Sequence, residues 1–186
     1  MSSGTGILSR LIGLLVPPPR CGGGSRRSRH GTAQSNPRTG TAGAVGQSGI
    51  TATVEIGPPG RDELTISYAP HHDGAPDAGE IVWTWVPYQE NDGRGKDRPV
   101  LVIARGDASH VFAVKLTSKS HEGDRDFLSI GSGPWDGQGR ESWVDIDQVY
   151  RVHDEGLRRE AAALDRERFA QVATVLHRRY GWAVQE

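Results

Sequence analysis

Arg98 stands directly before Pro99 in the stretch GKDRPVLVIARGD (residues 95–107), at the mouth of a run of β-branched and aliphatic residues. A permanent cation with a planar donor fork, set against a buried strand, is either a flanking surface residue or a group held rigidly so that it faces an anion. Arg94 and Lys96 precede it, and Lys119 follows the next apolar run, so positive charge gathers around this part of the chain. His121 is the nearby side chain whose ordinary pKa suits proton transfer near neutrality. The loop HHDGAPD (residues 71–77) offers two histidines and two aspartates, but adjacent histidines between Gly and Pro do not converge easily on one ion. It reads as a plain loop, and no metal and no cofactor are expected. Trp135, in the glycine-rich GSGPWDGQGR, has no obvious core to enter and is expected to be free for a ligand or partner.

The elements that must position these groups follow from periodicity. EIVWTWVPY (80–88) puts Ile81, Trp83 and Trp85 on one face of a strand and Val82, Thr84 and Val86 on the other, with the two tryptophans expected in the core. The polar QENDGRGKD leads into a second strand, RPVLVIAR, and HVFAVKLTSKS (110–120) alternates as a third. DFLSI is a fourth, and ESWVDIDQVYRV (141–152) a fifth. Short strands joined by polar turns, with no helix between them, predict a mainly β fold with an antiparallel sheet curled into a small barrel. The period then changes: Phe169, Val172, Ala173, Leu176 and Tyr180 form one helical stripe, with Asp165 as N-cap and Gly181 as the left-handed stop. A C-terminal amphipathic helix is the best-defined element of the chain.

The first part of the sequence reads differently. From Cys21 to about Ala78 it is dominated by Gly, Ser, Thr, Pro and Arg, a composition that buries too little apolar surface to offset the entropy of ordering. Residues 1–78 are therefore expected to be a disordered basic leader, and 79–186 the folded domain. ITATVEI (50–56) and ELTISYA (63–69) alternate as strands do, yet a hairpin with no sheet to join is marginal. The apolar stretch in GILSRLIGLLVPPPR is too short to span a bilayer and is interrupted by Arg10, so no stable membrane association is expected. A single cysteine in 186 residues fits a reducing, cytoplasmic setting. Six of the 22 basic residues and none of the 23 acidic ones precede Glu55, which leaves the rest of the chain at −7. A nucleic-acid surface on such a domain must be a local patch.

Taken in order, GEIVWTWVPYQ, DRPVLVIARGD, VKLTSKS, WVDIDQVYRV and the closing helix resemble the PemK/MazF-like toxins of type II toxin–antitoxin systems, over about residues 79–186. The resemblance implies an SH3-like barrel with a C-terminal helix, a homodimer, a cognate antitoxin partner, and a metal-independent endoribonuclease that cuts single-stranded RNA. It also implies a catalytic pair, an arginine before the proline of the second strand and a threonine or serine ending the third, which fall on Arg98 and Thr117.

RNA carries its own nucleophile, so a nuclease need only deprotonate the 2′-hydroxyl, stabilise charge on the phosphorane and protonate the leaving 5′-oxygen. Arg98 can clamp nonbridging oxygens and Thr117 can donate to the same developing charge. Ser118 and His121 are further candidates for phosphate contact or catalysis, with His121 a candidate base. Arg94, Lys96, Lys119 and Trp135 are candidates for RNA binding. Glu90, Asp92 and Asp97 lie in the same loop and are expected to repel phosphate. The alternative is a noncatalytic nucleic-acid- or protein-binding module on the same fold, and a third reading makes the basic leader the functional part.

Overall fold

The computed structural model describes residues 44–71, 75–90 and 92–185, the side chains of 159–161 excepted. Among the described residues, nine strands and one α-helix follow in chain order: β1 (Val54–Ile56), β2 (Thr65–Ile66), β3 (Glu80–Pro87), β4 (Gly95–Arg105), β5 (His110–Thr117), β6 (Phe127–Gly131), β7 (Ser142–His153), β8 (Leu157–Ala163), α1 (Arg166–Tyr180) and β9 (Ala183–Val184). The five strands expected from alternation are β3 to β7, and they form the centre of one antiparallel sheet. Its order is β1-β7-β5-β4-β3-β8, with β6 beside β1 on the outer side of β7.

Alternation gives the sheet two working faces. Ile81, Leu101, Ile103, Val114, Leu116 and Val149 pack in one core with Phe169, Val172 and Leu176 of α1. On the opposite faces of the same strands, Val82, Val86, Val100, Val102, Val111, Ala113, Tyr150 and Val152 form a second core with no helix over it. Those faces can bury only against one another, so the sheet has to curl. Thr53, just ahead of β1 at one edge, lies 2.6 Å (Oγ1 to Oγ1) from Thr84 on β3, one strand in from the other edge. Thr84 Oγ1 in turn donates to the Gly156 carbonyl at 2.9 Å. These contacts hold the curled, barrel-like form without a strand ladder joining β1 to β8 among the described residues.

The helix is built as its sequence predicts. Asp165 accepts from the Arg168 N–H at 2.9 Å, and Gly181 ends the helix at φ 76°, its N–H donating to the His177 carbonyl. Glycine suits this position because a Cβ is disfavoured at that φ.

The expectation that everything before Gly79 is leader needs correction for residues 44–71 and 75–78. ITATVEI and ELTISYA do not pair with each other. Val54–Ile56 adds antiparallel to β7, while Thr65–Ile66 lies parallel to Ala183–Val184 after the helix. Leu64 and Ile66 are buried in the helix-side core, and the Trp182 indole N–H donates to the Pro59 carbonyl at 2.9 Å. These segments are poor hairpin partners, but the sheet and the helix end give them the surface that local sequence lacks. Residues 1–43, the rest of the expected leader, and residues 72–74 of the HHDGAPD loop lie outside the described residues.

A shortened chain starting at Gly79 therefore loses two fully buried aliphatic side chains, each worth about 1.5–3 kcal/mol, together with the Thr53 and Pro59 contacts. Its melting temperature is expected to fall by roughly 10 °C or more, by the usual scaling for a domain of this size. Calorimetry of the full and shortened chains checks this, and equal melting temperatures would return the segment to the leader.

Candidate functional site

The inner faces of the curled sheet are apolar along most of their length and turn polar at one end. On β4, Val102 and Val100 are followed two by two by Arg98 and Lys96. On β5, Val111 and Ala113 are followed by Lys115 and Thr117, and on β7 Gln148 precedes Tyr150 and Val152. Period two therefore delivers these polar groups to one place, the mouth of the inner core. There they line an open cleft of about 1190 Å³, joined by Trp83, the loop after β3, the segment around His121 and the loop carrying Trp135. All eight residues singled out from the sequence, Arg94, Lys96, Arg98, Thr117, Ser118, Lys119, His121 and Trp135, line this cleft.

Arg98 is half-buried, and its guanidinium makes no hydrogen bond or ion pair with a described residue. The β4–β5 ladder ends at Val100 opposite Lys115, and Arg98 and Thr117 lie two residues beyond it on their strands, both lining the cleft. The Thr117 hydroxyl accepts from the Lys119 N–H at 3.2 Å, which leaves its own proton free to donate. Ser118 follows on the exposed end of the strand. His121 stacks on Phe127, ring centroids 3.5 Å apart, and its Nδ1–H faces the Asp124 carboxylate at 3.3 Å. That carboxyl is held below its ordinary pKa chiefly by the Asp126 N–H, with His121 contributing. An imidazole oriented through Nδ1 presents Nε2 as an acceptor, the form a general base needs.

Of the carboxylates that line the cleft, Asp97, Asp136 and Asp145 each have a cation beside them, and Glu90 has no ion pair among the described residues. Asp92 lies outside the lining but next to it in sequence. Asp92 binds Arg94 at 2.7 Å, Asp97 binds Arg158 of β8 at 2.8 Å, and Asp136 binds Arg140 at 2.9 Å. The Arg140 contact is the main reason the Asp136 carboxyl is lowered. Asp97 Oδ1 is buried without a hydrogen-bond partner. Arg94 is thus largely compensated, whereas the exposed Lys96 and Lys119 have no side-chain ion pair among the described residues.

Two readings of the tryptophans change. Trp135 is buried, 5% exposed, and its indole N–H donates to Ser142 Oγ at 3.0 Å. Gly133 makes this possible, because the ring folds back onto the space a Cβ would occupy. Trp135 therefore anchors the loop over the cleft and offers no free stacking face. Trp83 and Trp85, expected in the core, are only half-buried on β3, and Trp83 borders the cleft.

Sequence reasoning missed the floor of the site. Lys115 Nζ lies 3.1 Å from Asp145 Oδ2 and also donates to Gln148 Oε1, which accepts from the Tyr150 hydroxyl at 3.0 Å. Asp145 Oδ1 is fixed by the Asp147 N–H at 3.0 Å. The available signal was the alternation Val111, Ala113, Lys115, an apolar face that becomes charged at its end. Tyr150 is 1% exposed, and burial first, then Glu55 and Asp145, pushes its phenol well above the ordinary value, against the opposing field of Arg98. Among the described residues no group of three or more His, Cys, Asp or Glu is placed to hold a metal ion, and no helix is long and apolar enough to cross a membrane.

A phenol raised in the folded state contributes stability that is fully present below its unfolded pKa of about 10 and is lost as pH climbs toward the folded value. Unfolding free energy is therefore expected to decline above about pH 10, with Tyr180, also raised mainly by burial, adding to the slope. Tyr150→Phe should make that limb shallower in denaturant titrations taken at several pH values. In a separate test of the loop, Trp135→Ala should cost about 3–5 kcal/mol of stability, the usual effect of emptying a buried aromatic site. A stable Trp135→Ala variant would mean that the ring does not anchor the loop.

Comparison with known proteins follows the same lines. The family described as PemK-like, MazF-like toxin of type II toxin-antitoxin system matches residues 77–179, more than half of the chain. No curated protein matches. Among solved structures, MazE-MazF (Form-II) from Deinococcus radiodurans is 24% identical, covering 57% of this chain and 96% of that one at a TM-score of 0.45. An endoribonuclease in complex with its cognate antitoxin from Mycobacterial species is 18% identical, with 57% and 96% covered and a TM-score of 0.44. Mycobacterium tuberculosis toxin MazF-mt6 is 15% identical, with 54% and 97% covered and a TM-score of 0.39.

Proposed function

Since the chain belongs to the PemK-like, MazF-like toxins of type II toxin–antitoxin systems, we propose that it is an endoribonuclease that cuts single-stranded RNA in the cytoplasm and is restrained by a cognate antitoxin. The observation that carries this reading is the half-buried guanidinium of Arg98 at the cleft mouth, unpaired among the described residues, with Thr117 lining the same cleft. A half-buried cation with no counter-charge bound to it among the described residues favours an anionic ligand, and a fork suits two oxygens of one phosphate.

The reaction needs no metal in principle, because the RNA supplies its own 2′-hydroxyl. That oxygen attacks the adjacent phosphorus while His121 Nε2 removes its proton, and Arg98 and Thr117 donate to the nonbridging oxygens as charge builds on them. The P–O5′ bond then breaks and the leaving oxygen takes a proton, giving a 2′,3′-cyclic phosphate and a 5′-hydroxyl end. Lys96 and Lys119 hold the flanking backbone, and a local cationic cleft accommodates RNA on a domain that is acidic overall. The antitoxin lays an acidic segment over the same cations, and the active unit is a homodimer.

Arg98→Ala is expected to keep the circular dichroism spectrum and melting curve while cleavage falls by roughly a hundredfold or more, the usual cost of one preorganised charge donor. Thr117→Val should act in the same direction more mildly, and lysine at position 98 should rescue poorly. His121→Ala should flatten the acid limb of the pH–rate profile. Unchanged cleavage by Arg98→Ala, or its unfolding, would favour the noncatalytic binding module.

A further inference from the structure

The ion pair at the floor of the cleft has features that packing alone does not require. Lys115 and Thr117 are two residues apart on β5 and so share the face that opens into the cleft. The Lys115 side chain lines the cleft and is 18% exposed, and its partner Asp145 is 7% exposed. An ammonium has three N–H donors. Gln148 takes one of them, Asp145 stands 3.1 Å away as the ion-pair partner, and no further hydrogen-bond partner is present among the described residues. The supports are themselves held: Asp145 by the Asp147 N–H and Gln148 by the Tyr150 hydroxyl. A lysine on a flexible stem is thereby held in place, with donor capacity left over, on the strand that carries Thr117.

We propose that Lys115 is a second phosphate-binding cation of this cleft, contacting the RNA backbone at or next to the phosphate held by Arg98, with Asp145 and Gln148 as positioning residues. The proposal rests on the reading of the cleft as an RNA site. Asp145 orients the ammonium and balances its charge while the cleft is empty. Because Gln148 and Asp145 already hold the ammonium, a phosphate meets a remaining donor without reorganising the lysine, which is the condition for strong electrostatic stabilisation. Arg98 and Lys115 then divide the work: the fork fixes the orientation of the phosphate, and the ammonium supplies a point charge from the neighbouring strand.

The test uses the purified full chain and a single-stranded oligoribonucleotide bearing 2′-O-methyl groups, which cannot be cleaved, with affinity followed by fluorescence anisotropy over a range of KCl. Each phosphate contact in a single strand contributes about 0.7 to the slope of log affinity against log salt. Lys115→Met should therefore make that slope shallower by about 0.7, and Lys115→Arg should restore it. Cleavage of the unmodified oligonucleotide by Lys115→Met should fall at least tenfold, on the order of losing one charge contact. The double variant Lys115→Met/Asp145→Asn leaves no buried charge unpaired, so it decides the question if the single variant is unstable. Asp145→Asn alone should bind at least as tightly, since a negative charge is removed, yet cleave roughly tenfold more slowly, because the ammonium is no longer fixed. A purely structural Asp145 would not separate binding from cleavage in this way. Slopes equal in the parent chain and the Lys115 variants would overturn the proposal and leave the nuclease reading standing. Absence of salt-dependent RNA binding by the parent chain would overturn both.

Discussion

Strand alternation is the constraint on which this molecule depends. A sheet that covers one face with α1 must bury its other face against itself, and this curls it into a barrel-like form. The same period of two that points Val100, Ala113 and Tyr150 into the inner core points Arg98, Lys115, Thr117 and Gln148 into its open end. The cleft is therefore the unfilled mouth of the core, and its polar groups stand on rigid strands. Loop residues such as Arg94 and Lys119 surround this constellation without setting its geometry.

Charge is organised on a shorter length scale than the net value suggests. Asp92, Asp97 and Asp136 are each paired with an arginine close by, so their fields are largely cancelled within a few ångströms. Arg98 has no such partner among the described residues, and Lys115 has one that fixes its position. A domain that is acidic on balance thus keeps a cationic cleft, and screening by salt confines the repulsion of its more distant carboxylates. The exposed Asp92–Arg94 pair contributes little to stability, but all three pairs decide which cations remain available.

The segment before Gly79 shows how a weak local signal becomes structure. Val54–Ile56 and Thr65–Ile66 are too short to order alone. One meets the free side of β7 and the other meets the chain leaving α1, while Leu64 and Ile66 enter the core that the helix covers. Glu55 is carried by the first of these strands to the side of Tyr150, so this part of the chain also contributes to the electrostatics of the cleft floor.

Composition and period by themselves determined the five central strands and the capped helix with its stripe from Phe169 to Leu176, because each of these is written in near-neighbour patterns, whereas Arg98 and Thr117 were joined as a pair only by the resemblance of the ordered segments. Tertiary structure alone decided the rest. Lys115 meets Asp145 and Gln148 only because β5 and β7 are adjacent, and Trp135 is buried only because Gly133 lets the ring fold back beside Ser142. Pairings between residues tens of positions apart leave no periodic trace in a chain. They arise when burying apolar surface forces distant segments together, and so the floor of the cleft and the place of the first strands emerge only in the folded molecule.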